Sequence, residues 1–201
     1  LAEDLADAYR IKGLDIVIVS PSKIFGEGYP GQRISLNKIM INFLRFGFIP
    51  LYGSKNFKMS VVFLEDVVQG HLKAMKESEA NEKYFLAGHI VTQHAFFKMT
   101  AKAAGSKAFV LPVPKWVIML VGYGIALKGM VTPGAAPFKA GTIRHIFRSS
   151  QFSSAKAQAK LGWQITPLEA SIQRTLAFHD KKPSRLNQPN VQPQNNFYEL
   201  A

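Results

Sequence analysis

The apolar run Leu14 to Val19, within GLDIVIVS, constrains the fold more than any other stretch. Its side chains are apolar almost without interruption and Pro21 closes it, the pattern of a short strand covered on both faces. Such a strand needs helices packed against it, and the chain alternates between the two periodicities. Leu1, Leu5 and Tyr9 at four-residue spacing predict a first helix that stops at Gly13. Ile39, Phe43 and Phe46 predict a second, from about Ser35 to Phe46, ended by Gly47. SVVFL, 60 to 64, predicts a strand running into a helix that Asp66 caps, with Val67, Gly70, His71, Ala74 and Met75 along one side.

KYFLAG, 83 to 88, predicts another strand, followed by a helix near Thr92 to Ala104 and a short strand from Phe109 to Val113. Pro114 suits the first turn of an apolar helix at 115–129, and GMVTPGAAP is a loop. A short helix follows Ser153 or Ser154, Pro167 opens a last amphipathic helix to about His179, and 181–201 is a polar, proline-containing tail. The expected fold is α/β with parallel pairing. Only the strands at 14–19 and 83–87 read as fully buried, too few for a doubly wound sheet, so partner strands are expected upstream of Leu1 and the chain is expected to be a fragment.

Charge bounds the partners. The chain has 25 Lys and Arg against 13 Asp and Glu, a formal net charge of +12, which attracts nucleotides, phosphorylated substrates, nucleic acid or acidic lipid. The basic residues are scattered, with Lys181-Lys182 the one adjacent pair and no basic block interleaved with aromatics, so no nucleic-acid partner is expected. Cysteine is absent, which excludes disulfides, thiolate nucleophiles and cysteine-ligated zinc. No signal-peptide pattern opens the sequence, and a cytoplasmic location is expected. WVIMLVGYGIAL, 116 to 127, is too short for the roughly 30 Å core of a bilayer and reads as a buried helix, with a membrane-surface helix as the lesser alternative.

GEGYPG, 26 to 31, spells the glycine pattern of a dinucleotide loop but lacks its context. That fingerprint needs glycines directly after a strand, a helix starting on them, and an acid about 20 residues on for the ribose. Here SPSKIF intervenes, 46 to 54 holds no acid and PLYG is a poor buried strand, so the segment reads as a turn.

Four other blocks carry a resemblance. GLDIVIVSPSKIFGEG, SVVFLEDVVQGHLKAM, NEKYFLAG and SSAKAQAKLGW occur in order over about residues 1 to 180. Together they resemble the extended short-chain dehydrogenase/reductase family, the NAD-dependent epimerases and dehydratases. Within it the pattern is closest to dihydroflavonol-reductase-like, 3β-hydroxysteroid-dehydrogenase-like and related sugar-epimerase-like proteins. The resemblance implies the C-terminal part of a Rossmann-type parallel sheet plus a small, mostly helical substrate-binding domain. It assigns 1–32 and 60–90 to the dinucleotide-binding domain, and 33–59 and 91–180 to the substrate-binding domain.

The reaction so implied is hydride transfer between a nicotinamide, NAD or NADP, and a carbinol carbon, with a tyrosinate as base. No tyrosine here has a lysine four residues on, and aligning Glu3 with the family's acid places that lysine just before Leu1. The chain alone is therefore expected to be inactive, with no catalytic residue and no metal. Pro21, Ser22, Lys23 and Ile24 match the family's loop under the nicotinamide, and Ser35 lies near the cofactor. Phe25 and Arg33 lie where relatives contact substrate, a nucleotide sugar or a flavonoid- or steroid-like alcohol. The family's Arg before the proline is Ser20 here, and its frequent Tyr before the glycine is Phe25.

Other residues have plainer readings. Asp66 is expected to be a helix cap and His71 a packed histidine, while His89 and His94 lack a third ligand. Phe96, Phe97, Met99, Trp116, Ile118 and Met119 suit core packing or the wall of an apolar cleft. The resemblance also implies a homodimer through helix 1–12, with Leu1, Leu5 and Tyr9 at the contact. The alternative to an enzyme is a non-catalytic nucleotide-binding or scaffolding protein of the same fold.

Overall fold

The computed structural model describes residues 2–28, 34–51, 56–114, 116–117, 120 and 151–180. Helix α1 (Ala2–Ile11) has Glu3 and Asp4 in its first turn and Arg10 in its last, charges that suit the helix dipole. The chain continues through β1 (Ile18–Pro21), β2 (Lys23–Phe25), α2 (Ser35–Phe46), β3 (Phe48–Leu51), β4 (Lys58–Phe63) and α3 (Leu64–Glu77). β5 (Lys83–Leu86), β6 (His89–Thr92), α4 (Gln93–Ala103), β7 (Phe109–Pro112), α5 (Ala155–Leu161) and α6 (Leu168–Asp180) follow. Most of the helix expected at 115–129, and the tail at 181–201, lie outside the described residues.

The strands form parallel pairs β1–β5 and β3–β7, and a three-stranded sheet in the order β2-β4-β6. β2 is parallel to β4, and β6 is antiparallel to it. β4, rather than β1, is the most buried strand, and it separates two cores. Successive side chains of a strand point to opposite faces. Met59, Val61 and Phe63 therefore join Leu36, Met40, Phe43, Phe96 and Ile172 on one side, while Val62 joins Val67, Tyr84, Leu86, Leu161 and Trp163 on the other. Residues 155–163 thus contribute Ala157, Leu161 and Trp163 to the core built around β5 and α3.

Three strands, β2, β3 and β6, give no clear signal in the sequence. Each is only three or four residues long, β2 and β6 of mixed polarity and β3 interrupted by Pro50, and each is held by pairing with β4 or β7 rather than by its own pattern. The face of α2 also differs from expectation. Leu36, Met40 and Phe43 are buried, whereas Ile39 and Phe46 are exposed, because Phe43 meets the edge of Phe97 at 5.2 Å and turns that side of the helix to the core. On α3, His71 and Met75 face solvent, and the buried side is Asp66, Val67, Gly70 and Ala74.

Charge pins α5 to the turn before β5. Glu82 accepts hydrogen bonds from Lys156 and Lys160, which hold its carboxyl pKa down from the ordinary 4.5 to about 2. A depressed folded-state pKa contributes stability above the unfolded value and loses it as pH falls through the folded one. Glu82→Gln is therefore expected to be less stable than the parent at neutral pH, with the difference fading between pH 4.5 and about 2. Urea unfolding across that range measures it, and a pH-independent gap would show that the carboxylate charge is not the source. Lys156 and Lys160 are solvent-exposed, so added salt is expected to shrink the effect.

Candidate functional site

The loop after β1 is fixed through backbone groups. Pro21 ends the strand, the Ser22 N–H donates to the Leu86 carbonyl at 3.1 Å, and the Ser22 hydroxyl donates to the Ala87 carbonyl at 2.7 Å. Both bonds tie the loop to the C-terminal end of β5, the end at which open α/β sheets bind ligands. Lys23 is exposed, yet partial desolvation holds its ammonium pKa below the ordinary 10.5. Ile24 is half-buried against the core of Val62 and Tyr84. β2 is the outer strand of its sheet, so one side of its backbone has no ladder partner among the described residues.

Phe25 is 1% exposed, with Phe96 edge-on at 5.5 Å and Phe63 tilted at 6.0 Å, so its side chain is a core residue. Ser35 opens α2, and Arg33 lies outside the described residues.

Gly26 occupies φ +143, and a Cβ there would fall 2.9 Å from that of Leu64. Its glycine character thus serves close packing against the start of α3 rather than a phosphate. Asn37 clamps it: the Gly26 N–H donates to Oδ1 at 3.0 Å, and Nδ2 donates to the Gly26 carbonyl at 2.6 Å. Arg174 of α6 pairs with Glu27 at 2.8 Å and Glu65 at 2.7 Å and lies 4.8 Å over the Phe63 ring. These contacts hold residues 26 and 27 to three helices. Asn37 was legible only as a polar residue within the apolar spacing Leu36, Met40, Phe43, and nothing in the sequence pairs Arg174 with Glu27.

Asp66 differs from its expected role. It is the third residue of α3, and the residue preceding the helix is Phe63. Its carboxylate accepts the Thr166 N–H at 2.9 Å and the Thr166 hydroxyl at 2.6 Å, while its carbonyl accepts the Trp163 indole N–H at 2.7 Å. His89 donates from Nε2 to the Thr166 carbonyl at 2.8 Å, and His71 donates from Nδ1 to the Val67 carbonyl at 2.8 Å. Both imidazoles serve structural bonds. No group of three His, Asp or Glu suited to a metal ion occurs among the described residues. Phe96 and Phe97 are core residues, Trp116 is exposed, and Ile118 and Met119 lie outside the described residues.

Parallel strand pairs with helices packed on them, and a loop anchored at their C-terminal ends, make up part of the Rossmann-type fold seen in solved NAD-dependent epimerases and dehydratases. The chain is similar to UDP-glucose 4-epimerase from Thermotoga maritima, solved with UDP-glucose, at 20% identity and a TM-score of 0.62, covering 89% of this chain and 50% of that one. It is similar to UDP-glucose 4-epimerase from Thermus thermophilus, solved with NAD, at 17% identity and a TM-score of 0.60, covering 90% and 51%. RMD from Pseudomonas aeruginosa, solved with NADPH, gives 13% identity and a TM-score of 0.61, covering 90% and 53%. The chain spans about half the length of these structures. No protein-family model and no curated protein matches the sequence.

Proposed function

We propose that this chain forms the nicotinamide-side floor and the substrate lobe of an NAD(P)-dependent epimerase, dehydratase or related oxidoreductase, acting on a hydroxyl or ketone of a nucleotide sugar. The observation that carries the reading is the loop Pro21–Phe25. It is anchored by Ser22 to the end of β5, and its Lys23–Phe25 form an outer strand with one side of the backbone free of a ladder partner among the described residues, where an amide-bearing ring can bond. In this reading Pro21, Ser22, Lys23 and Ile24 hold the nicotinamide, Ser35 approaches the cofactor and Arg33 belongs to the substrate side, while Phe25, expected there from the resemblance, is a core residue that backs the loop from within.

The dinucleotide, when bound, supplies a hydride acceptor. The chain's own residues orient it and exclude water, since no Tyr-x-x-x-Lys occurs here to move the proton. The net charge of +12 suits a diphosphate-bearing substrate better than a neutral alcohol. Exposed Leu5 and Tyr9 on α1 offer the surface on which a homodimer forms, and the cytoplasm is the compartment that fits this cofactor chemistry.

The test is hydrogen–deuterium exchange on the product of the complete reading frame, with and without NAD and NADP. Slower exchange in peptides spanning 21–28 is the expected outcome, together with turnover of UDP-sugars. Dinucleotide binding that leaves those peptides unprotected would overturn the assignment. Binding with protection but no turnover of any alcohol or sugar would favour the scaffolding alternative.

A further inference from the structure

The elements α2, β3, β4, β6, α4 and β7, on which α6 also packs with its Glu169 and Asp180, have an unusual charge pattern. No Asp or Glu occurs between Glu27 and Glu65, or between Glu82 and Glu169, and every one of those six elements falls within the two acid-free segments. Their described surface carries Lys38, Arg45, Lys58, Lys98, Lys102 and Lys107, all exposed.

The β3–β7 pair adds a second feature. Parallel register sets Phe48 against Phe109 and Pro50 against Leu111. Alternation sends Ile49, Leu51 and Val110 into the core and leaves Phe48, Pro50, Phe109 and Leu111 on the outer face, with Phe48 45% and Phe109 58% exposed. That face is wholly apolar. Because the strands are parallel, Arg45 and Lys107, each just ahead of its strand, come to the same end of the sheet, where the Arg45 guanidinium lies 5.9 Å from the exposed Phe46 ring. Trp116, past the end of β7, is also exposed.

We propose that the outer face of β3–β7, with Arg45 and Lys107 at its edge, docks on an anionic phospholipid bilayer. Aromatic and aliphatic side chains enter the headgroup boundary while Arg45, Lys107 and the other exposed cations of these elements meet the negative surface potential. No helix among the described residues is long and apolar enough to cross a membrane, so the contact is interfacial. A second copy of the chain is the poorer occupant, since two chains of the same strongly positive charge would face each other. Nucleic acid is poorer still. The Phe48 and Phe109 rings already stack on each other at 6.3 Å, and Pro50 and Leu111 present no π-face for a base.

The experiment is co-sedimentation of the product of the complete reading frame with phosphatidylcholine vesicles, with and without phosphatidylglycerol. Binding to the anionic vesicles alone, weakened by salt, is the expected result. The double variants Phe48→Ser/Phe109→Ser and Arg45→Glu/Lys107→Glu are each expected to lower the bound fraction by at least about tenfold. All four side chains are on the surface, and circular dichroism checks that each variant is folded. Absence of vesicle binding by the parent, or binding unchanged in both folded variants, overturns the proposal. So does concentration-dependent dimerisation abolished by the phenylalanine variant when the parent ignores vesicles, or RNA binding in its place. None of these outcomes depends on the dinucleotide reading.

Discussion

Gly88→Ala is expected to lower stability by about 4 kcal/mol and the melting temperature by about 10 °C. Gly88 links β5 to β6 at φ +64, a region that side chains with a Cβ rarely adopt. Space is the larger problem. A Cβ there would fall 2.2 Å from the Val61 carbonyl oxygen and 2.8 Å from the Val62 Cα. Those are backbone atoms of β4, the strand that divides the two cores, and they cannot step aside as a flexible side chain would. Relief has to come from displacing β6 or bending β4, and either change opens the packing of Val61 and Val62 on both faces. Thermal unfolding by circular dichroism checks the prediction. A loss below about 1 kcal/mol would show that the β5–β6 connection relaxes freely and that the approach to β4 is not a constraint. The neighbouring Ala87 carbonyl receives the Ser22 hydroxyl, so a displaced Gly88 is also expected to loosen the anchored loop.

Trp163→Ala is expected to cost about 4 kcal/mol, the range for removing a buried aromatic. Trp163 is 2% exposed and packs in the core of Val62, Tyr84 and Leu161, with its indole N–H bonded to the Asp66 carbonyl. Trp163→Phe separates the two contributions. It keeps most of the buried ring and removes the donor, so a loss of about 1 kcal/mol is expected from the missing hydrogen bond, the Asp66 carbonyl keeping its place in the helix. Urea unfolding of the two variants side by side is the measurement. Equal losses would mean that the hydrogen bond, not the ring, joins the 163–167 segment to α3.

Several features were legible because they are local. The glycine after Phe46 closes α2 where expected, with its N–H on the Phe43 carbonyl. The helix after Thr92 begins there because the threonine hydroxyl accepts the Ala95 N–H at 3.1 Å. The reading of GEGYPG as a turn rests on what stands before and after it, and the structure adds that Gly26 packs closely on Leu64.

The parts that sequence reading missed depend on residues far apart in the chain. Asp66 looked like a cap because the sequence shows only its position near the start of a helix, whereas its partner Thr166 lies 100 residues on. The clamp on Gly26 brings in Asn37, and the Glu27 bridge comes from Arg174, 147 residues away. Two strands of the β2-β4-β6 sheet and β3 went unrecognised because strands of three or four residues owe their existence to a partner.

Taken alone, the sequence determined the alternation of strands and helices, the absence of a Tyr-x-x-x-Lys, and the resemblance to the epimerases and dehydratases. All of these are written in spacing and residue type along a continuous stretch. Only the tertiary structure decided which face of α2 is buried, that β4 rather than β1 is the dividing strand, and that Phe48 and Phe109 meet on an outer face. Each of those outcomes is set by which distant segment supplies the opposing surface, a choice made by packing and backbone pairing across the fold.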